Sequence, residues 1–109
     1  MPRYMIQASY TAAAAAAFVS TPQDRVAGVR ALIDKAGGKM ESLDFCLGDW
    51  DLLVMCTLPD DTAATAVALA VNGAGHLSKY RTQRLLSAEE LTAAQKIAHG
   101  LAYQGPSRG

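Results

Sequence analysis

The stretch KMESLDFCLGDWDLLVMCTL, residues 39–58, constrains the fold more than any other part of the chain. Two runs with alternating character, Lys39 to Leu47 and Asp51 to Leu58, flank Gly48-Asp49-Trp50 and read as antiparallel strands. With Asp49-Trp50 as a two-residue loop, Leu47 faces Leu52, Phe45 faces Val54, Leu43 faces Cys56 and Glu41 faces Leu58. That side is nearly all apolar and is the natural core face. Met40, Ser42, Asp44, Cys46, Asp51, Leu53, Met55 and Thr57 take the other side. A slip of one residue would mix the two sets, so the pattern supports this register. It also separates the cysteines. Cys46 and Cys56 project from opposite faces and cannot bridge within the hairpin. Cys56 reads as a small core residue. Nothing near Cys46 in sequence marks it as reactive.

The rest of the chain supplies partners for this hairpin. Arg3 to Tyr10 reads as a strand, with Tyr4, Ile6, Ala8 and Tyr10 on one face and Met5, Gln7 and Ser9 on the other. Thr11 can cap an alanine-rich helical segment ending near Val19. Thr21-Pro22 then reads as the start of a helix, with Val26, Val29, Ile33 and Ala36 as its apolar stripe and Gly37-Gly38 as its end. Pro59-Asp60-Asp61 breaks the hairpin's second strand and caps a helix over Thr62 to Val71. Leu77 to Leu86 reads as a polar strand carrying Lys79, Arg81 and Arg84. Ser87 and Glu90 form a capping box for a last helix with Leu91, Ala94, Ala98 and Leu101 along one side. The order β-α-β-β-α-β plus a helix is the α+β, ferredoxin-like plan: one antiparallel sheet with helices on one face. One domain is expected over residues 1–103, with a flexible tail over 104–109.

Composition narrows the partners. Half of the residues are hydrophobic but only 6% are aromatic. Much of the apolar content is alanine, which buries little area, so oligomerisation is expected to help stabilise the core. The 10 basic and 10 acidic residues balance, and no basic excess points to nucleic acid. No segment reaches the roughly 18 apolar residues of a membrane span. The alanine-rich N-terminus lacks the charge pattern of a secretion signal. A cytoplasmic protein with free thiols is the resulting expectation.

The candidate site lies opposite the helices. Leu53, Met55 and Met5 on that face would form an exposed apolar patch. Two such sheets packed face to face would cover it and make a dimeric α/β barrel. Gln7, Ser9, Asp44, Asp51 and Thr57 would then line an enclosed cavity, with Arg84 as an anion-binding candidate at its rim. Lys79 and Arg81 share that candidacy, although charges on a solvated edge strand also discourage edge pairing. Asp-Trp is a poor two-residue turn, because neither residue adopts positive φ cheaply. Trp50 is therefore expected to be largely buried, either over the end of the core or a neighbouring subunit, or as the lid of a ligand pocket. Asp51 is the acid expected to make the most specific interaction. Asp49, Asp51, Asp60 and Asp61 are better read as turn and cap residues than as metal ligands. Two cysteines and two histidines give no standard zinc spacing. His76 reads as an exposed or capping residue rather than a haem ligand or base.

Several of these features resemble one family. Tyr10-Thr11 closes the first strand, Arg25 lies in the helix that follows, and Gly37-Gly38-Lys39 ends it. Gly48-Asp49-Trp50-Asp51 is similar to a Gly-x-Tyr-Asp signature, and Pro59-Asp60-Asp61 follows. Together they resemble the GYD-domain proteins over about residues 4 to 90, with Trp50 in place of the usual tyrosine. The resemblance implies a ferredoxin-like fold of the dimeric α/β-barrel type. It implies no particular reaction, cofactor or catalytic residue. The function expected is a homo-oligomeric small-molecule binding or regulatory module. The alternative is a cofactor-independent oxygenase or isomerase, or a haem-dependent enzyme, and fold analogy alone carries it.

Overall fold

Alternation along Arg3–Tyr10 produces the central strand of the molecule, β1, in a computed structural model that describes residues 1–107. The elements that follow are α1 (Ala12–Ser20), α2 (Arg25–Lys35), β2 (Lys39–Phe45), β3 (Leu52–Thr57), α3 (Asp61–Gly73), β4 (Leu77–Leu85) and α4 (Ala88–His99). The strands form one antiparallel sheet in the order β2-β3-β1-β4. This is the expected α+β, ferredoxin-like plan. The core occupies one face of the sheet. Tyr4, Ile6 and Ala8 of β1 and Leu52, Val54 and Cys56 of β3 pack there against Ile33 of α2 and Val67 of α3. Burying a side chain such as Ile33 stabilises by roughly 1.5–3 kcal/mol.

The helix ends follow from local chemistry. Thr11 accepts a hydrogen bond from Ala14 N and starts α1. Asp60 accepts from Ala63 N and starts α3. Ser87 and Glu90 form the capping box of α4. Gly37 has φ +88°, and Gly38 N donates to Ile33 O, closing α2. A Cβ at Gly38 would run into the Thr57 carbonyl, so only glycine fits there. The start of α2 differs from expectation. Asp24, not Thr21, caps it, accepting from Val26 N at 2.9 Å. Thr21 instead terminates α1 through a bond to Ala17 O. An Asp side chain nearer the apolar stripe won over the Thr-Pro signal.

The hairpin keeps its faces but changes its register. Phe45 pairs with Leu52 and Leu43 with Val54, each two residues away from the expected partner. A two-residue shift preserves parity, so Leu43, Phe45, Val54 and Cys56 still share a side. No non-glycine residue among those described has positive φ. Asp49-Trp50 therefore does not form a two-residue turn, and the strands are joined by a loop over 46–51 instead. A bulge between Met40 and Ser42 places Met40 opposite Cys56, where it is buried. Glu41, expected on the core face, is exposed and pairs with Arg3 at 3.0 Å. Phe45 and Leu47 are exposed.

Every residue of α4 is exposed, Leu91 of the expected stripe included, and so is Leu101 just beyond its end. Residues 104–107 of the expected tail are exposed and without regular structure, and 108–109 lie outside the described residues. No described helix is long and apolar enough to cross a membrane.

Candidate functional site

The loop over 46–51 folds onto the open face of the sheet, and several backbone and side-chain bonds hold it there. Cys46 N donates to Asp51 O and Asp51 N to Ala8 O. Buried Ser9 donates from Oγ to Asp49 O at 3.1 Å. The Asp51 carboxylate accepts from Tyr10 N at 2.8 Å. Trp50 then lies beneath two cations of β4, with Lys79 Nζ 4.3 Å and Arg81 Cζ 5.3 Å from the ring centroid. Such contacts stabilise by about 0.5–1 kcal/mol each at exposed sites. Trp50 is mostly covered, as expected, but not fully buried, and it joins neither the core nor the lining of the cleft. Its compensation for a poor turn is the cationic edge strand.

The other expected site residues divide between the faces. Gln7 accepts from Arg81 Nη2 at 2.6 Å on the open face. Thr57 donates weakly to Lys39 O at 3.5 Å. Asp44 lies opposite Leu53, also on the open face. Arg84 does not join them. It pairs with Tyr4 across the strands, which puts it on the helix side, where it bonds Glu90 at 3.2 Å. Alternation along β4 separates it from Lys79 and Arg81. Asp60 and Asp61 lie at the start of α3, at the far end of β3 from Asp49 and Asp51. Asp61 accepts from the Tyr4 hydroxyl at 2.6 Å. Cys46 is an exposed free thiol. Cys56 is wholly buried, and burial pushes its thiol up to about 11.

A largely apolar concavity lies on the opposite, helix-covered side. Helices α2 and α3 leave a cleft of about 270 Å³ between them, floored by Ile6, Ala8 and Val54. Val29 and Leu32 form one wall and Val67 and Val71 the other. Three small residues, Gly28, Ala70 and Ala74, also line the space and keep it open. Its polar groups are few. Arg25, Tyr10 and His76 stand towards the end where β1 finishes and β4 begins, and Tyr80 rises from β4. Two of these carry buried atoms without a hydrogen-bond partner, Arg25 Nε and the Tyr80 hydroxyl; the Thr82 hydroxyl is a third such atom on the same side of β4. Burial pushes the Tyr80 phenol above its ordinary range. Burial also raises the Tyr10 phenol, and the neighbouring Arg25 guanidinium opposes that rise. An apolar pocket with a few convergent polar groups is the usual form of a small-molecule site.

Reading the residues alone missed this cleft. The signal available was weak: Gly28 beside the apolar stripe of α2, and alanine in place of larger residues along α3. His76 is exposed, as expected. Its carbonyl accepts from Thr11 N at 2.9 Å and ties the start of β4 to the end of β1.

No protein of curated function matches the chain. A solved structure, that of At3g17210 from Arabidopsis thaliana, is similar to it at 13% identity, covering 81% of this chain and 96% of that one with a TM-score of 0.45. The GYD-domain profile matches residues 4–94. That span takes in all of the sheet but Arg3, the loop with Gly48-Asp49-Trp50-Asp51 and the helices that wall the cleft. The chain belongs to the GYD-domain family.

Proposed function

We propose that this domain binds a small, largely apolar molecule in the cleft between α2 and α3. The observation that carries the reading is an open, largely apolar cavity of about 270 Å³ lined by Arg25 and Tyr80, each of which holds a buried polar atom without a partner behind that lining. Buried polar groups are normally satisfied, and each that is not costs about 1–3 kcal/mol. A bound molecule that draws these side chains towards the cleft recovers that cost. A binding or regulatory role uses these features without invoking a reaction.

The test is a comparison of the wild type with Val71→Trp, which fills the cleft. A native mass spectrum of gently purified wild type should show a retained small molecule, or members of an apolar fragment set should raise its Tm. Val71→Trp should lose the adduct and the shift while keeping its circular dichroism. A wild type that carries nothing and responds to no fragment would sink the reading.

A second reading concerns assembly, and the open face favours it. Met5, Leu53 and Met55 are only partly covered there, on the side of the sheet that no helix packs against. Pairing two sheets through this face would remove that apolar surface from water. It would bring Gln7, Ser9, Asp44, Asp51 and Thr57 of each copy towards the interface, with Trp50 near its edge. This homodimer is a proposal independent of the cleft, which lies on the opposite face.

A further inference from the structure

Resting on the reading of the cleft as a ligand site, we infer that its ligand is a compact apolar carboxylate whose anionic end is held by Arg25. The argument begins with the guanidinium. Arg25 opens α2, directly after the Asp24 cap, and its guanidinium lies over Gly28. A Cβ added at Gly28 would lie 3.8 Å from Arg25 Nη2. Residues four apart share a helix face, so Arg25 stands beside Val29 at the cleft wall. Its Nε is buried without an acceptor. Its Nη1 makes a long contact of 3.4 Å to Gln23 Oε1, the Tyr10 hydroxyl lies beside the guanidinium, and its plane packs near Phe18 with Cζ 5.9 Å from the ring centroid. Among the described residues, the ion pairs are Arg3–Glu41 and Arg84–Glu90, and neither includes Arg25.

An arginine stays charged under all ordinary conditions, and a partly buried charge without an anion is costly. The cation here faces an apolar hollow, not a protein carboxylate. An incoming carboxylate can accept from the two terminal nitrogens together, a paired geometry that guanidinium groups favour. The Tyr10 hydroxyl beside Arg25 supplies a further donor at that end. The remaining wall is aliphatic and suits a short chain or a single ring. A space of about 270 Å³ accommodates a compact ligand such as a medium-chain acid.

Octanoate and 1-octanol, matched in chain length, are the probes, with calorimetric titration and amide chemical shifts as the readouts. Wild type should bind octanoate at least about tenfold more tightly than octanol, because a charge-assisted bond to a partly desolvated arginine distinguishes them. Shifts should cluster on α2, α3 and the start of β4. Arg25→Gln should lose the preference and keep octanol binding. Arg25→Lys, a second variant that retains the charge, should keep part of it. Equal binding of the two probes by wild type would overturn the carboxylate assignment while leaving the cleft as an apolar site. An unchanged preference in Arg25→Gln would overturn the role of Arg25. Failure of both probes to bind or to shift the cleft residues would overturn the ligand-site reading as well.

Discussion

The carboxylate of Asp51 accepts a hydrogen bond from the backbone N–H of Tyr10 at 2.8 Å. This bond reaches from the end of the hairpin loop to the end of the central strand, where β1 shifts register against β4 between Ser9 and Tyr10. The carboxylate thus satisfies a donor at an irregular point in the sheet. Asn keeps an acceptor oxygen, so Asp51→Asn should cost at most about 1 kcal/mol, while Asp51→Ala should cost about 1–2 kcal/mol. Urea unfolding of the three proteins checks the order. A loss in Asp51→Asn equal to that in Asp51→Ala would show that charge, not the hydrogen bond, matters.

A second bond ties the sheet to α3. The Tyr4 hydroxyl donates to Asp61 Oδ1 at 2.6 Å, and Tyr4 is almost wholly buried. Tyr4→Phe keeps the packing of the ring and removes the donor. Because Asp61 stays exposed to water, the expected loss is modest, about 1–2 kcal/mol. Amide exchange should quicken most in the first turn of α3. A uniform change across the molecule would argue against a local tether.

Much of this architecture is legible in the residues, for reasons that also explain the errors. Alternation in β1 and the hairpin assigns faces because one side must be buried. It does not assign register to within two residues, since that shift leaves every side chain on its own face. Hence Phe45 pairs with Leu52 where parity alone allowed Val54. The bulge that buries Met40 and frees Glu41 leaves no composition mark. Thr21-Pro22 and Asp24 are competing start signals for one helix, and local patterning does not rank them. Charge groups Arg84 with Lys79 and Arg81, whereas strand parity puts it on the other face. The cleft is hidden for a different reason. It results from the small size of Gly28, Ala70 and Ala74 and from the spacing of α2 and α3, a tertiary property that no short window contains.

Alkaline pH should expose the burial of Cys56. Its folded thiol titrates at about 11 against 9.0 when unperturbed, chiefly because burial disfavours the thiolate. Below the unperturbed value both folded and unfolded chains hold the proton, and the contribution is fully present. Between the two values the unfolded chain releases the proton first, so stability falls as pH rises. Relative to Cys56→Ala, the wild type should lose about 2 kcal/mol more across that window. Tyr4, Tyr10 and Tyr80 are also raised by burial. They should extend the decline at higher pH in both proteins and so cancel in the comparison. Parallel curves for the two proteins would show that the thiol stays accessible to solvent.

The proposed pairing of open faces places Leu53 in a buried interface. Leu53→Asp would then bury an unpaired carboxylate, which is costly. Sedimentation of the wild type should show a dimer at micromolar concentration, and Leu53→Asp should sediment as a monomer with an unchanged circular dichroism spectrum. A monomeric wild type at that concentration would remove the basis for a paired-sheet barrel.

Trp50 supplies an independent test, because it is the single tryptophan of the chain. In one copy its ring is partly exposed and lies under Lys79 and Arg81 on the open face. If that face pairs with another copy, the indole loses water as the dimer forms. Its emission should therefore move to shorter wavelength as protein concentration rises through the dissociation range. Leu53→Asp should keep the long-wavelength emission at every concentration, since its indole keeps the one-copy environment. The cleft lies on the other side of the sheet, so octanoate should leave this emission unchanged. An emission maximum that stays fixed while sedimentation reports dimer formation would place the interface away from Trp50, and the paired-sheet arrangement would then be wrong even though the protein associates.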